Sequence, residues 1–135
     1  MKQKWHEKPE WWLRIGVFGS FLGHGMFALG GVVPGVAFKT GWVHYFTAVG
    51  LTEAHAATLL PLIGILDLIV AAFALFKPIR VVLAWATIWG FWTALLRPIS
   101  GEAIWELVER SANWAAPLAL LALRGFPKKF DDWLK

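Results

Sequence analysis

The chain has 135 residues, of which 58% are hydrophobic and 16% are charged, and its mean hydropathy is +0.56. This length suits one domain, but the composition is too apolar for an ordinary soluble domain of that size. The absence of cysteine excludes disulfides, iron–sulfur ligation and thiol redox chemistry, and the net charge of +4 comes from clustered basic residues that do not indicate nucleic acid.

Four apolar stretches are long enough, or nearly so, to cross a hydrocarbon core of about 30 Å: residues 11–33, 54–76, 79–96 and 103–123. They predict an all-α integral membrane four-helix bundle in a single domain, residues 1–135. Of the 13 basic residues, only Lys39, Arg97 and Arg110 fall outside the N-terminus, the second loop and the C-terminus. The positive-inside rule then predicts cytoplasmic N- and C-termini and a multi-pass protein of the inner membrane.

The first predicted helix begins after a polar N-terminal segment in which Trp5, Trp11 and Trp12 are expected to lie at headgroup depth. No convincing cleavage site follows its long apolar run, which favours a helix over a signal peptide. Gly19-x-x-x-Gly23 is a spacing typical of closely packed membrane helices. His24 is expected near the middle of the membrane.

The outer loop, residues 34–53, contains the apolar segment 42–49, which predicts a short interfacial helix. Thr52 is expected to cap the second helix, although Glu53 falls too early for a capping box. Asp67 lies well inside the second helix. It belongs to a stripe of mostly small residues, namely Leu60, Gly64, Asp67, Ala71 and Ala74.

The third predicted helix has one stripe with Ala86, Gly90, Thr93 and Arg97, and a neighbouring one with Trp85, Trp89 and Trp92. A short turn with Ser100 or Gly101 as the expected cap leads to the fourth helix. There Glu102, Glu106, Glu109 and Asn113 are spaced to share one face. Glu106 and Arg110 are spaced for an ion pair, Glu102 is expected to be solvated or capping, and the tail 126–135 is amphipathic.

These stripes predict a buried polar cluster of His24, Asp67, Thr93, Arg97, Glu106, Glu109, Arg110 and Asn113. A charged side chain in mid-membrane costs about 2.5–3.5 kcal/mol on insertion scales, so such residues face the interior and are candidates for function. Polar side chains also hold membrane helices together. Both interpretations stay open, and no catalytic residue is assigned.

Several cofactor sites fit the residues poorly. A b-type haem needs matched axial ligands, and only His24 is expected inside the membrane, because His44 and His55 are expected on the outer side. A dinuclear carboxylate site needs a Glu-x-x-His pairing, which is absent, so no metal and no bound cofactor are predicted. A polar pocket beside tryptophans would suit a quinone head group or another amphipathic ligand, and it would equally suit a partner's helix.

Two short motifs in the first helix, Leu13-Arg14-Ile15-Gly16 and Phe21-Leu22-Gly23-His24-Gly25, resemble the first helix of the DoxX-like membrane proteins. Asp67 in the second helix and four helices in this length are similar to that family too. DoxX is named as a small subunit of a quinol oxidase or thiosulfate:quinone oxidoreductase system. The resemblance therefore implies a four-helix fold and a redox-linked accessory context.

The leading functional hypothesis is a small accessory subunit of a larger, redox-linked membrane complex. The alternatives are a small quinone- or lipid-binding membrane oxidoreductase and an oligomeric small-solute transporter. The expected partners are the lipid bilayer and either larger membrane protein subunits or further copies of the chain, without nucleic acid.

Overall fold

The computed structural model of the chain describes Lys4 and residues 8–135. The predicted anchor Trp5, together with Lys2 of the predicted basic N-terminus, lies outside this part. The described residues contain no strand, which confirms the all-α class. Their elements are α1 (Pro9–Leu29), α2 (Trp42–Ala48), α3 (Glu53–Phe76), α4 (Arg80–Ile99), α5 (Ile104–Glu109), α6 (Ser111–Leu123) and a 3-10 helix (Phe130–Leu134).

The first helix starts with Pro9, whose fixed φ and missing N–H suit the first helical position. It ends at Leu29, four residues before the predicted end at residue 33. At Gly30 the chain turns against the following loop, and a Cβ on this residue would lie 2.4 Å from the carbonyl oxygen of Ala37. This close approach ends the helix although the apolar sequence continues.

The predicted interfacial helix and second long helix are confirmed as α2 and α3. Thr52 caps α3 as expected: its hydroxyl accepts a hydrogen bond from the backbone N–H of His55, at 3.1 Å. The imidazole Nδ1 of His55 accepts one from the backbone N–H of Thr52 in return, also at 3.1 Å. His55 thereby completes the capping box that Glu53 is placed too early to form.

The fourth predicted helix, residues 103–123, is two helices joined at Arg110. The Arg110 guanidinium donates to the carbonyl oxygen of Glu106 at 2.9 Å, and the Ser111 hydroxyl donates to that of Val108 at 2.6 Å. Both side chains occupy carbonyls that a continuous helix would offer to its own N–H groups. The N-cap of α5 is Ala103, so the expected cap at Ser100 or Gly101 is wrong.

The prediction that these glutamates and Asn113 share one helix face is therefore also wrong. Glu102 precedes α5, Glu106 and Glu109 belong to α5, and Asn113 belongs to α6. Gly101 has a φ of +90° and makes the turn after α4 instead of capping a helix. The preceding helix α4 runs past the predicted end at residue 96 to Ile99, since the N–H of Ser100 still donates to Leu96 at 2.9 Å.

The long helices α1, α3, α4 and α6 run alternately up and down. The most extensive contact is between α1 and α3, the next is between α4 and α6, and α1 also packs against α6. By comparison, α3 and α4 contact each other little. The largest apolar cluster joins α1, α3 and α4, with buried Val17, Phe21, Val70, Ala71, Ala74 and Ala86.

Close helix packing depends on glycines other than the predicted pair. Gly19 and Gly23 face open space, so the predicted packing motif is not where the helices meet. A Cβ on Gly25 would instead lie 2.9 Å from the carbonyl oxygen of Gly64, and the reverse distance is also 2.9 Å. A Cβ on Gly90 would lie 2.5 Å from the carbonyl oxygen of Asn113. These contacts bring α1 onto α3 and α4 onto α6.

One end of the bundle, here called the basic end, is where α1 and α4 begin and α3 and α6 end. Glu10 Oε1 lies 2.5 Å from Arg14 Nη2 and 3.2 Å from Arg124 Nη1. The Arg80 guanidinium donates to backbone carbonyls of the C-terminal segment, those of Arg124, Gly125, Asp132 and Lys135. The opposite end, which carries α2, is called the α2 end.

Two helices, α3 and α4, are long and apolar enough to cross a membrane. The mean hydropathy of the most apolar 18 residues is 2.6 in α3 and 1.2 in α4. Among the described residues no other helix meets the same criterion of length and composition. The four-helix membrane bundle as a whole stays a prediction.

The glycine contact between α1 and α3 predicts that Gly64→Ala destabilises the protein. The added methyl group would meet backbone and the Leu29 side chain, and overpacking of this kind costs about 1–3 kcal/mol. We expect a lower midpoint of thermal unfolding, followed by circular dichroism on the purified protein. The matched control is Gly19→Ala, whose methyl group enters open space and whose gain in helix propensity is up to about 1 kcal/mol. Equal effects of both substitutions would contradict the assignment.

Candidate functional site

A pocket of about 80 Å³ lies between α3 and α4, with α2 across its opening. This volume holds on the order of five water molecules or a small ligand group. Its wall combines apolar and aromatic side chains with a few polar ones. The lining residues are His24, Trp42, Tyr45, Phe46, Leu60, Ile63, Asp67, Trp89, Thr93, Leu96, Arg97, Arg110 and Asn113.

The structure brings most of the predicted polar cluster together in this pocket. Six members line it: His24, Asp67, Thr93, Arg97, Arg110 and Asn113. The other two, Glu106 and Glu109, are not among the lining residues. They contact the pocket only through Arg110, to which both are ion-paired.

Asp67 is the buried carboxyl group of the pocket. It is 3% exposed and lies on the buried face of α3 with Leu60, Gly64 and Ala71. Trp89 of α4 lies beside this carboxyl group in the pocket wall. The Oδ1 atom of Asp67 is buried without a hydrogen-bond partner among the described residues. An unsatisfied buried acceptor costs about 1–3 kcal/mol, so this atom is a strong candidate for contact with a ligand.

His24 lies in the same pocket but makes no hydrogen bond with Asp67 in the described part of the chain. Its imidazole ring packs edge-on against the Trp42 indole, with ring centroids 5.8 Å apart. This contact joins α1 to α2. The imidazole nitrogens therefore stay available for a ligand in the pocket.

Arg110, at the junction of α5 and α6, forms the ion pair predicted for it. Its Nη1 atom lies 2.5 Å from Glu106 Oε2 and 2.8 Å from Glu109 Oε1. The pairing with Glu106 is thereby confirmed. Because the guanidinium also occupies the Glu106 carbonyl, Arg110 both ends α5 and places a positive charge in the pocket wall.

A second charged group closes the α2 end of the pocket. The Tyr45 hydroxyl donates to Glu102 Oε1 at 2.5 Å and accepts a hydrogen bond from Arg97 Nη1. Arg97 Nη1 also lies 3.6 Å from Glu102 Oε2. We call these residues the Arg97–Tyr45–Glu102 cluster. Glu102, expected to be solvated or capping, in fact accepts a hydrogen bond from the partly buried Tyr45 hydroxyl and holds α2 to the end of α4.

Tyr45 and Trp42 are site residues that the sequence interpretation missed. The available signal was the spacing of Trp42, Tyr45 and Phe46, which puts three aromatic side chains on one face of a short helix. A seven-residue helix in a loop gave no reason to expect that this face would cover a polar pocket. His44 adds a further link, since its Nε2 donates to the Ser100 carbonyl at 3.1 Å.

Metal chemistry finds no support in this pocket. Within Lys4 and residues 8–135, no three His, Asp or Glu side chains are grouped so that they could hold a metal ion. Glu106 and Glu109 are both ion-paired with Arg110.

Comparisons with known proteins give no match: no protein-family model, no curated protein and no solved structure matches this chain. The resemblance to DoxX-like proteins stays a prediction.

The environment of Tyr45 predicts an abnormal titration. Burial, and then the hydrogen bond to Glu102, raise the pKa of Tyr45 from 10.0 to about 12. The folded state keeps the phenol proton above pH 10, where the unfolded state loses it, so the contribution of Tyr45 to stability is complete below pH 10 and is lost as the pH rises through 12. Tyr45 is the single tyrosine of the chain, so tyrosinate absorbance near 295 nm reports this group alone.

Glu102→Gln removes one cause of that shift and is expected to move the titration toward lower pH. The matched control is Glu53→Gln, because Glu53 starts α3 and has no contact with the cluster. A native titration near the ordinary value, or an unchanged one in Glu102→Gln, would show that Tyr45 does not bridge these residues.

Proposed function

We propose that this chain is a small multi-pass inner-membrane protein whose pocket binds a small amphipathic molecule. The observation that carries the proposal is Asp67: an acidic side chain in the most apolar helix, 3% exposed, facing a pocket and left with an unpartnered oxygen. Polar groups at such positions are costly and mark ligand or ion sites in membrane proteins.

The surface of the helices supports a membrane environment. In α3 only 33% of the most apolar 18 residues are buried, whereas the core helix of a soluble protein is mostly buried. Leu62 is 56% exposed on α3 and Ile88 is 66% exposed on α4. Comparable apolar side chains are exposed on α1, among them Ile15, Leu22 and Met26. Lipid is the solvent that favours this arrangement.

The charge distribution supports an orientation with both termini in the cytoplasm. Arg14, Arg80 and Arg124 lie at the basic end, which the positive-inside rule places on the cytoplasmic side. The pocket then opens toward the outer side, beneath α2. Asp67 follows Glu53 by 14 residues, a depth of about 21 Å from the outer start of α3.

The composition of the pocket suits a ligand with a polar head and an apolar body. Apolar walls and a few convergent polar groups are typical of small-molecule sites. A quinone is the ligand that the resemblance implies, and its carbonyl oxygens could accept hydrogen bonds from Arg97 or His24. Neither a catalytic residue nor a reaction is part of the proposal.

The accessory role remains a second candidate, favoured by the aromatic face of α4. Trp85 and Trp92 are exposed there, and Trp85 stacks on Trp89 at 5.6 Å between ring centroids. Large aromatic side chains are common at the centres of protein interfaces. Such a face would suit a larger membrane subunit or a second copy of the chain. The other alternative, an oligomeric small-solute transporter, stays a prediction, because no structural observation specifically supports it.

The proposed topology predicts the accessibility of single introduced cysteines, because the native chain has none. In right-side-out membrane vesicles, a membrane-impermeant maleimide is expected to label Val49→Cys, beside α2. Lys77→Cys and Lys128→Cys, at the basic end, are expected to react only after permeabilisation. The cysteine-free protein is the control. Labelling of all three positions in intact vesicles would contradict both the orientation and the four-span arrangement.

The proposed pocket predicts binding of a short-chain quinol, the reduced form of a quinone, to the full chain in lipid nanodiscs, measured by calorimetry against empty nanodiscs. A quinol hydroxyl can donate to the unpartnered Asp67 Oδ1, whereas the carbonyl oxygens of a quinone only accept. His24→Leu and Asp67→Leu are each expected to weaken binding about 5- to 150-fold, since a buried polar group of the ligand left unpaired costs about 1–3 kcal/mol. Glu53→Gln is the matched control, a carboxylate of the same helix that does not line this pocket.

Two results would count against the pocket. One is binding that survives both leucine substitutions unchanged. The other is the absence of binding by any amphipathic probe, together with stoichiometric larger subunits in a mildly solubilised native preparation. That second result would favour the accessory role and make Asp67 a structural contact between helices.

A further inference from the structure

Two buried polar atoms without hydrogen-bond partners belong to residues of this one pocket. One is an acceptor, Asp67 Oδ1, and the other is a donor, Arg97 Nε. Each is costly to bury unpaired. A ligand that offered a donor to the first and an acceptor to the second would satisfy both atoms at once.

The guanidinium group of Arg97 lies over the Tyr45 ring, with Cζ 4.6 Å from the ring centroid, and its polar contacts in the described part of the chain use one edge. Its Nη1 atom contacts the Tyr45 hydroxyl and Glu102. Its Nε atom is buried and unpartnered. Nε and Nη2 form one edge of the planar guanidinium, and this edge matches the two oxygens of a carboxylate. The free edge of Arg97 therefore favours a carboxylate over a neutral carbonyl.

The charges around the pocket favour an anion at its α2 end. Arg97 and Arg110 both line the wall, whereas the glutamates that pair with them, Glu102, Glu106 and Glu109, do not. The two arginines thus contribute to the pocket wall, and none of these three glutamates does. Lys39 lies near the same opening, 5.7 Å from the Trp42 ring centroid.

The two unpartnered atoms are at different depths. Trp89 contacts Asp67, and Arg97 follows Trp89 by eight residues on α4, a rise of about 12 Å. Apolar side chains line the space between these levels, namely Phe46, Leu60, Ile63 and Leu96. A ligand that reaches both ends therefore needs an apolar ring or chain in its middle.

We propose that the ligand is a carboxylic acid with a hydroxyl group at the far end of an apolar chain or ring. The carboxylate binds the Nε–Nη2 edge of Arg97 beside Arg110, and the hydroxyl donates to Asp67 Oδ1. A hydroxyl group suits this deep position because it is neutral and can both donate and accept. This inference rests on the proposed function of the pocket as a binding site and names the chemical class that it takes.

The test compares three probes of equal chain length: ω-hydroxyoctanoate, octanoate and octanol. Each is titrated by calorimetry into the full chain in nanodiscs, with empty nanodiscs to subtract partition into lipid. The native protein is expected to bind ω-hydroxyoctanoate at least about tenfold more tightly than either of the others, because each of these lacks one of the two end groups.

One variant tests the contact at each end of the proposed ligand. Asp67→Leu is expected to abolish the preference for ω-hydroxyoctanoate over octanoate while keeping the preference for octanoate over octanol. Arg97→Gln is expected to abolish the preference for the acids over octanol. Glu53→Gln is expected to keep both. A ratio of affinities within one variant does not depend on the fraction of folded protein, so partial misfolding cannot imitate these results.

The outcomes separate this inference from the proposed function. Equal binding of the three probes by the native protein overturns the ligand class, and so do preferences that both variants retain. If the acids fail to bind while a short-chain quinol binds in a manner that depends on Asp67, the pocket stands and the hydroxy acid is wrong. If neither class binds, both proposals fail.

Discussion

The pocket depends on two backbone contacts that organise the long helices into pairs. Gly25 faces Gly64 where α1 meets α3, and Gly90 faces the Asn113 carbonyl where α4 meets α6. Such close approach is possible only without a Cβ. Because each pair is drawn together tightly, the contact between α3 and α4 is left sparse. The pocket occupies that gap, and Trp89 of α4 and Asp67 of α3 lie beside each other in its wall.

At the α2 end, the gap between α3 and α4 is covered by α2, which charged side chains hold in place. The Arg97–Tyr45–Glu102 cluster attaches α2 to the end of α4, and His44 supports the attachment through the Ser100 carbonyl. A partly buried ion pair gains little net stability, because desolvation offsets its Coulomb energy. In this structure the ion pair instead positions Arg97: it orients the guanidinium so that one edge is hydrogen-bonded and the other edge is free.

The sequence predicted those features that depend on the solvation of single side chains. Asp67, Arg97 and Arg110 were identified because a charged group among apolar residues is costly wherever it faces lipid, whatever the details of packing. The two helices that are long and apolar enough to cross a membrane, α3 and α4, correspond to two of the four predicted apolar stretches. The predicted α2 and the Thr52 cap followed from local pattern.

Features that depend on competition between specific partners escaped prediction. The break at Arg110 arises because two side chains take backbone carbonyls, which the spacing of Glu106 and Arg110 cannot reveal. The glycine spacing at Gly19 and Gly23 is compatible with several helix faces, and the face that packs carries Gly25. Tyr45 went unnoticed because its partners lie 52 and 57 residues away in the chain.

The state of Asp67 distinguishes a binding site from structural contact between helices. Polar side chains that only hold membrane helices together are expected to be satisfied by their neighbours, since leaving an acceptor unpaired costs more than the contact contributes. Asp67 lies beside Trp89, but its Oδ1 atom is buried and unpaired. Arg97, at the other end of the same space, keeps Nε unpaired although Tyr45 and Glu102 are adjacent. One unpaired atom could be a packing defect. A donor and an acceptor left unpaired at opposite ends of one apolar pocket are complementary to a molecule that carries both groups.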